Sequence, residues 1–233
     1  MHPSCLNKQA FTLVEMLVVI AIVVILTAVT APSIVSLNNS GQMNQVTLEL
    51  RGMLEQARQY AVAQNTYVWV AFNAQTSNNI DTISVAMVAS MDGSDPGTMS
   101  SASLLSVPSA DLTLISKVRS FQQFQLQVPG GYSFALPVSV PTTPAIASAN
   151  APASASSGGT ATFNIQIPGN TTTTPFAQFI QFTPSGEARN SSNPIDIIEF
   201  ALEPAQNHTV PNPNNVAVVQ INGLTGEALV YRR

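Results

Sequence analysis

Charge is scarce in this sequence. Eight Lys and Arg and twelve Asp and Glu make up 9% of its 233 residues, against about 25% in ordinary soluble domains. Polarity comes instead from Ser, Thr, Asn and Gln. A surface of that kind is weakly defended against association, which suits a chain that works packed against partners. The net charge is −4 and no basic cluster exists, which argues against nucleic acid as a partner. Histidine and cysteine are nearly absent: His2, His208 and Cys5 complete the count. A serine or cysteine hydrolase needs a base held by a third group, and only His208, in the loop sequence NHTVPNPNN, is available. A zinc site draws on several His or Cys ligands, which the chain lacks. No phosphate-binding glycine loop or Walker-type lysine occurs. The reading is therefore not an enzyme, with no catalytic residue, metal or cofactor assigned. Cys5 follows no apolar stretch, so it is not a lipoprotein acceptor.

What the sequence does have is one long apolar run. Phe11 to Ile34 reads FTLVEMLVVIAIVVILTAVTAPSI, and no charged residue occurs from Met16 to Leu48. About 20 such residues span a bilayer as a helix. The ten residues before the run are polar, with one lysine, Lys8. The run is too long for a secretory signal and lacks a small-x-small cleavage site after it. The bias of basic residues, Lys8 before the run and nothing until Arg51 after it, puts the amino terminus in the cytoplasm. Glu15 interrupts the run near its start. A carboxylate at membrane depth costs about 2.5–3.5 kcal/mol on insertion scales, so it reads as functional. The plainer alternative is a single-span anchor in which Glu15 sits near the interface.

Lys8-Gln9-Ala10-Phe11-Thr12-Leu13-Val14-Glu15 resembles the type IV prepilin processing site, shared by pilins and the pseudopilins of type II secretion. The resemblance implies a leader of residues 1–10, removed by prepilin peptidase at the Ala10–Phe11 bond. It also implies N-methylation of Phe11 and an assembly role for Glu15, whose carboxylate meets a neighbouring subunit's methylated amine. The sequence departs from the family at Ala10, where glycine is usual. The family fold is α+β and pilin-like: a long N-terminal helix, half transmembrane and half amphipathic, packed on an antiparallel β domain.

Beyond the run, Pro32 removes a helix hydrogen bond and crowds the carbonyl of Ala28, so a helix break, bend or end is expected there. Residues 35–64 form the amphipathic continuation. Met43, Val46, Leu50, Met53, Ala57 and Tyr60 alternate steps of three and four and share one face. That face packs on the chain's own sheet or, alternatively, on another subunit. Arg51 and Glu55 form an i,i+4 pair.

Residues 65–233 read as the β domain. Thr66–Asn73 and Thr82–Ser90 are strands joined by a turn within residues 73–79. Shorter strands are expected at Leu112–Ile115, Phe124–Val128, Phe163–Ile167, Phe176–Thr183 and Ile195–Leu202. Val216–Ile221 and Glu227–Tyr231 make a terminal hairpin. Met91–Gly97, MDGSDPG, carries Asp92, Ser94 and Asp95, which suit a turn better than a calcium loop, because no glutamate closes it. Residues 137–160 are a Pro/Ala/Ser/Thr tract with little to bury, read as a surface insertion. Asn170, Asn190 and Asn207 each begin an N-x-S/T sequon. The segments FTPSGEA (182–188) and VVQINGLTGEALV (218–230) resemble, more weakly, the closing turns of the H-type minor pseudopilin and its minor-pilin counterparts.

The expected function is structural: a minor pseudopilin or minor pilin of a type II secretion or type IV pilus-like filament. It is expected in the bacterial inner membrane, single-pass, with its C-terminal domain in the periplasm. Other pilin or pseudopilin subunits, prepilin peptidase and the inner membrane are its expected partners. The rival reading is a membrane-anchored periplasmic binding module or adhesin. Processing at Ala10–Phe11 is predicted to run slower than at a glycine site, so Ala10→Gly should speed conversion of precursor to mature chain. A pulse–chase experiment with active prepilin peptidase checks this, and equal or slower conversion contradicts it.

Overall fold

The structure is a computed structural model. It describes residues 13–98, 103–127, 153–154, 161–167, 172–190, 197–210, 212 and 214–232, with the backbone alone for 27–40 and 153–154. The leader 1–10, Phe11 and most of the 137–160 tract lie outside the described residues. Contacts divide the chain into two units, Met1–Gln42 and Met43–Arg233.

One helix, α1 (Leu13–Gln64), contributes to both units. It continues as α-helix through Pro32, so the expected alternative of a helix end at that residue does not hold. A proline forfeits one backbone hydrogen bond, one among the many that a 52-residue helix makes. In the first unit the described side chains of residues 13–26 are exposed on every side; Leu13, Val14 and Ile20 are 80%, 68% and 60% exposed. Among the described residues no helix is long and apolar enough to cross a membrane. The expected span, 11–34, includes Phe11, Thr12 and the side chains of 27–34, which are not described.

The second unit is built around the amphipathic end of α1. Met43, Val46, Leu50, Met53, Ala57 and Ala61 are buried, with Leu54 beside them, while Tyr60 is partly buried. This face packs on its own sheets. Leu48, on the opposite side, is 68% exposed.

The central pair of strands is β1 (Val68–Ser77) and β2 (Ile80–Ser90). They run on past the expected turn to pair Ser77 with Ile80. Asn78 and Asn79 alone make the reversal, both with positive φ (51° and 62°), as a two-residue type I′ hairpin requires. Along both strands alternate residues face opposite ways. Val68, Val70, Phe72, Ile83, Val85 and Met87 join the helix-side core. Trp69, Ala71, Ala86 and Val88 enter a second core on the other face.

Four short strands follow: β3 (Leu104–Val107), β4 (Leu112–Leu114), β5 (Arg119–Gln122) and β6 (Phe124–Gln127). Next come β7 (Ala153–Ser154), β8 (Thr162–Gln166), β9 (Thr173–Phe176), β10 (Gln178–Phe182) and β11 (Ala188–Arg189). The last are β12 (Ile197–Pro204), β13 (Ala217–Asn222) and β14 (Ala228–Arg232). They form three sheets. The largest runs β11-β10-β1-β2-β4, with β5 also on β2 and β7 on β10. The second runs β14-β13-β12-β6 and shares the helix-side core through Phe200, Leu202, Val219 and Ile221. The third, β3-β8-β9, covers the opposite face with Val107, Phe163, Ile165 and Phe176.

The architecture is α+β and rich in antiparallel pairs, but β3 and β8 are parallel, which corrects the expectation of a purely antiparallel domain. The expected strand Phe176–Thr183 is two strands in two sheets, broken at Ala177. Pro175 has no N–H to give a ladder, and β9 accordingly lies at a sheet edge. Ala153 and Ser154, inside the tract read as an insertion, pair with Phe179 and Gln178. Pairing uses backbone groups that any composition supplies.

The buried stripe of α1 carries the stability of this unit. Leu50→Ala is predicted to cost about 2–5 kcal/mol, and Leu48→Ala less than about 0.5 kcal/mol. Denaturant unfolding followed by the fluorescence of Trp69, which is buried and the only tryptophan, distinguishes them. Equal losses would contradict the packing described.

Candidate functional site

Of the residues that the sequence singles out, Ala10 and Phe11 lie outside the described residues. Glu15 is described: it is the acidic residue in the first turn of α1, and it is exposed. Pro32 lies within the helix.

The two terminal segments, FTPSGEA and VVQINGLTGEALV, are brought together. In the first, the Gly186 N–H donates to the Thr183 carbonyl at 2.8 Å across Pro184 and Ser185. In the second, the Asn222 side-chain oxygen accepts from the N–H groups of Leu224 (3.0 Å) and Thr225 (2.9 Å). The Ala188 N–H donates to the Gly223 carbonyl at 2.8 Å and ties one turn to the other. A Cβ on Gly226 would lie 2.2 Å from the Gly186 carbonyl oxygen and 2.7 Å from Cδ of Arg58. Gly226 also has φ +68°, where side chains are strained.

Arg58 holds the second turn to α1. It donates to both Glu55 oxygens (3.2 and 2.8 Å) and to the Thr225 carbonyl (3.2 Å). The Arg58 hydrogen bonds are the main cause that holds the Glu55 carboxyl below its usual range, and Glu55 in turn raises Arg58. The sequence pairing of Arg51 with Glu55 is corrected: the ion pair is with Arg58, three residues on. Arg51 lines the same open cavity of about 320 Å³, together with Glu55, Arg58, Thr225 and Glu227. Nothing beside Arg58 in the sequence marks this role, because its partner is 167 residues away.

The Met91–Gly97 loop is a pair of side-chain-closed turns. Asp92 accepts from the hydroxyl of Ser90 and from the N–H and hydroxyl of Ser94. These bonds, the Ser90 one first, lower its carboxyl to about 2. Asp95 accepts from the N–H groups of Gly97 and Thr98, and from the Gln181 side chain at 2.9 Å. Thr98, fully buried, accepts in turn from Trp69 Nε1 at 3.2 Å. The loop is thus pinned to β1 and β10. The signal for it, an Asp with a Thr three residues later, is too common to read alone.

His208 is not part of a hydrolytic arrangement among the described residues. It sits with Asn207 in a tight turn, both with positive φ, and its N–H donates to buried Asp81 at 2.8 Å. Burial pushes the Asp81 carboxyl up. The Thr76 hydroxyl, that N–H and the His208 ring outweigh it and hold the carboxyl low. Of the sequons, Asn190 is fully buried and Asn207 holds that turn. Asn170 is not described.

Residues 5–31 match the family model of the prokaryotic N-terminal methylation motif. The chain carries the type IV prepilin-like signature. The matched stretch contains Ala10, Phe11 and Glu15. No curated protein and no solved structure matches the chain. The prepilin-like motif implies processing by prepilin peptidase and assembly with other pilin subunits. Proteins of the type IV pilin-like family are structural rather than catalytic.

The two glycines Gly226 and Gly52 separate a required glycine from a tolerated one. Gly226→Ala is predicted to destabilise by about 2 kcal/mol or more, from the contact with the Gly186 carbonyl and the left-handed backbone. Gly52, helical and with open space around it, should gain about 0.5–1 kcal/mol on change to alanine. Thermal unfolding of both variants checks the pair, and a harmless Gly226→Ala would contradict the closure of the two turns.

Proposed function

We propose that this chain is a minor pseudopilin or minor pilin, a structural subunit of a type II secretion or type IV pilus-like filament. Prepilin peptidase cuts it at Ala10–Phe11 and methylates Phe11. Residues 11–34 anchor it in the bacterial inner membrane, and the β domain stands in the periplasm. The observation that carries this reading is the methylation motif at residues 5–31. It is supported by an exposed, all-round apolar helix start, which needs a cover of lipid or of neighbouring helices. A second support for the minor subtype is the joining of the two terminal segments by the Ala188–Gly223 backbone bond, which makes one structural feature of two separate likenesses.

Glu15 is the assembly residue of the proposal. In a dry layer its carboxylate and a neighbour's methylated amine offset each other's desolvation, and removal of one strands the other at a cost of about 3–5 kcal/mol. Glu15→Ala is therefore predicted to insert in the membrane at least as well as wild type and to be cleaved. It should fail to join other subunits. Glu15→Gln should be impaired less. Cross-linking to partner subunits in membranes, compared across the three proteins, tests this. Equal cross-linking in all three would overturn the role of Glu15.

A further inference from the structure

The second unit holds an apolar knob out from its surface. Leu224, in the turn of the terminal hairpin, is 77% exposed. Hydrogen bonds fix that turn. The Asn222 side chain accepts from the N–H groups of Leu224 and Thr225, the Gly223 carbonyl accepts from Ala188, and Arg58 donates to the Thr225 carbonyl. A side chain held in place beforehand costs less ordering when it docks. Glu227, also exposed, sets a carboxylate three residues on. Two other exposed apolar side chains do not offer that combination. Leu104 has no acid beside it in sequence, and the carboxylate next to Met91, that of Asp92, is already engaged by Ser90 and Ser94.

A cleft of about 400 Å³ lies between α1 and residues 116–119. Met53 and Met87, both buried, form its floor, and methionine makes an adaptable apolar surface. Two cations, Lys117 and Arg119, and one carboxylate, Glu49, line its walls, with Arg119 3.1 Å from Glu49. Gly52 stands on the helical wall, and a Cβ there would meet no atom within 4 Å. Glycine inside a helix weakens it relative to alanine, and the surrounding fold gives no steric reason for one here. Room for an incoming side chain is such a reason.

We propose that this cleft receives the terminal turn of a second copy of the chain, with Leu224 over the two methionines beside Gly52 and Glu227 at Lys117. The proposal rests on the filament reading above and adds to it a neighbour and a contact. Charge complementarity selects the occupant: the cleft carries more cations than carboxylates, and the turn brings a carboxylate beside its apolar knob. Position on α1 selects the mode. Arg51, Glu55 and Arg58 form the row on the hairpin side, Glu49 and Gly52 lie on the cleft side, and exposed Leu48 and Gln59 fall between them. Knob and cleft are therefore different surfaces, and the contact is head-to-tail. A pair joined in this way keeps one free knob and one free cleft for further copies.

The test uses the full chain in membranes with active prepilin peptidase, with Cys5→Ser so that no other cysteine is present. One copy carries Thr225→Cys and a first tag; the other carries Ser116→Cys, at the cleft, and a second tag. Mild oxidation should link the two tags, and should give little product between two Thr225→Cys copies. Leu224→Ala in the first copy, or Gly52→Leu in the second, which fills the cleft, should each cut the yield about fivefold or more. Lys117→Glu in the second copy should cut it similarly, and Glu227→Lys in the first should restore it to within about twofold, a rescue that a mere loss of fold does not give. No link between the tags overturns the proposal, as does a yield that Leu224→Ala and Gly52→Leu leave unchanged. A product mainly between two Thr225→Cys copies overturns it in favour of a symmetric pair. A Thr225→Cys copy that links mainly to a different protein overturns the choice of a second copy. Processing is scored first on the same membranes. A chain still uncut fails the filament reading and takes the proposal with it; a processed chain with no link fails the proposal alone.

Discussion

The apolar face of residues 43–61 has to be covered, and the rest of the second unit is arranged around that need. Seven buried apolar side chains from Met43 to Ala61 line it, including Leu50, Leu54 and Ala57. A helix this amphipathic is held by tertiary burial more than by propensity. The largest sheet and the β14-β13-β12-β6 sheet supply the other side of the same core. Because β1 and β2 are buried on both faces, a third sheet is required over Trp69 and Val88. Trp69, Phe163 and Phe179 then form a chain of ring contacts, tilted and edge-to-face, 5.7 and 5.4 Å apart. The fold is thus layered outward from one helical stripe.

Few charges are present, and several of them act as pins rather than as a solvated coat. Arg58 joins α1 to the terminal hairpin, and Arg119 meets Glu49 across to β5. Asp95 fixes its loop to Gln181, and Asp81 holds the turn at His208. Exposed pairs such as Arg119–Glu49 contribute little to stability, about 0–1 kcal/mol. Their use is to set which segments touch. Much of the remaining surface is amide and hydroxyl, which can be covered by a neighbour at a smaller desolvation cost than charge. That property fits a subunit whose working state is an assembly.

The helix stripe, the central hairpin and the terminal hairpin were legible because each is written in local periodicity and turn residues. Met43, Val46, Leu50, Met53 and Ala57 sit where the three–four spacing puts them. Local propensity left a helix end at Pro32 open, because it weighs one lost hydrogen bond without the long helix on either side. Strands β3 and β5 escaped notice because each is four residues long and buries only one side chain. No alternation can be read from that. The break at Ala177 and the parallel β3–β8 pair depend on which sheet a strand joins, a non-local choice. Arg58 meets a partner 167 residues away, so nothing beside it in sequence marks its role. Of the motif at the amino terminus, spacing and residue type carried everything, since the cleavage site itself lies outside the described residues.

The central claim is that this chain is made as a precursor and enters a filament only after its leader is removed. Intact-mass and amino-terminal peptide analysis of the protein from membranes with active prepilin peptidase tests it directly. The account predicts a chain that begins at Phe11 with its amine methylated. A chain that still begins at Met1, in membranes where a known prepilin is fully processed, would contradict it.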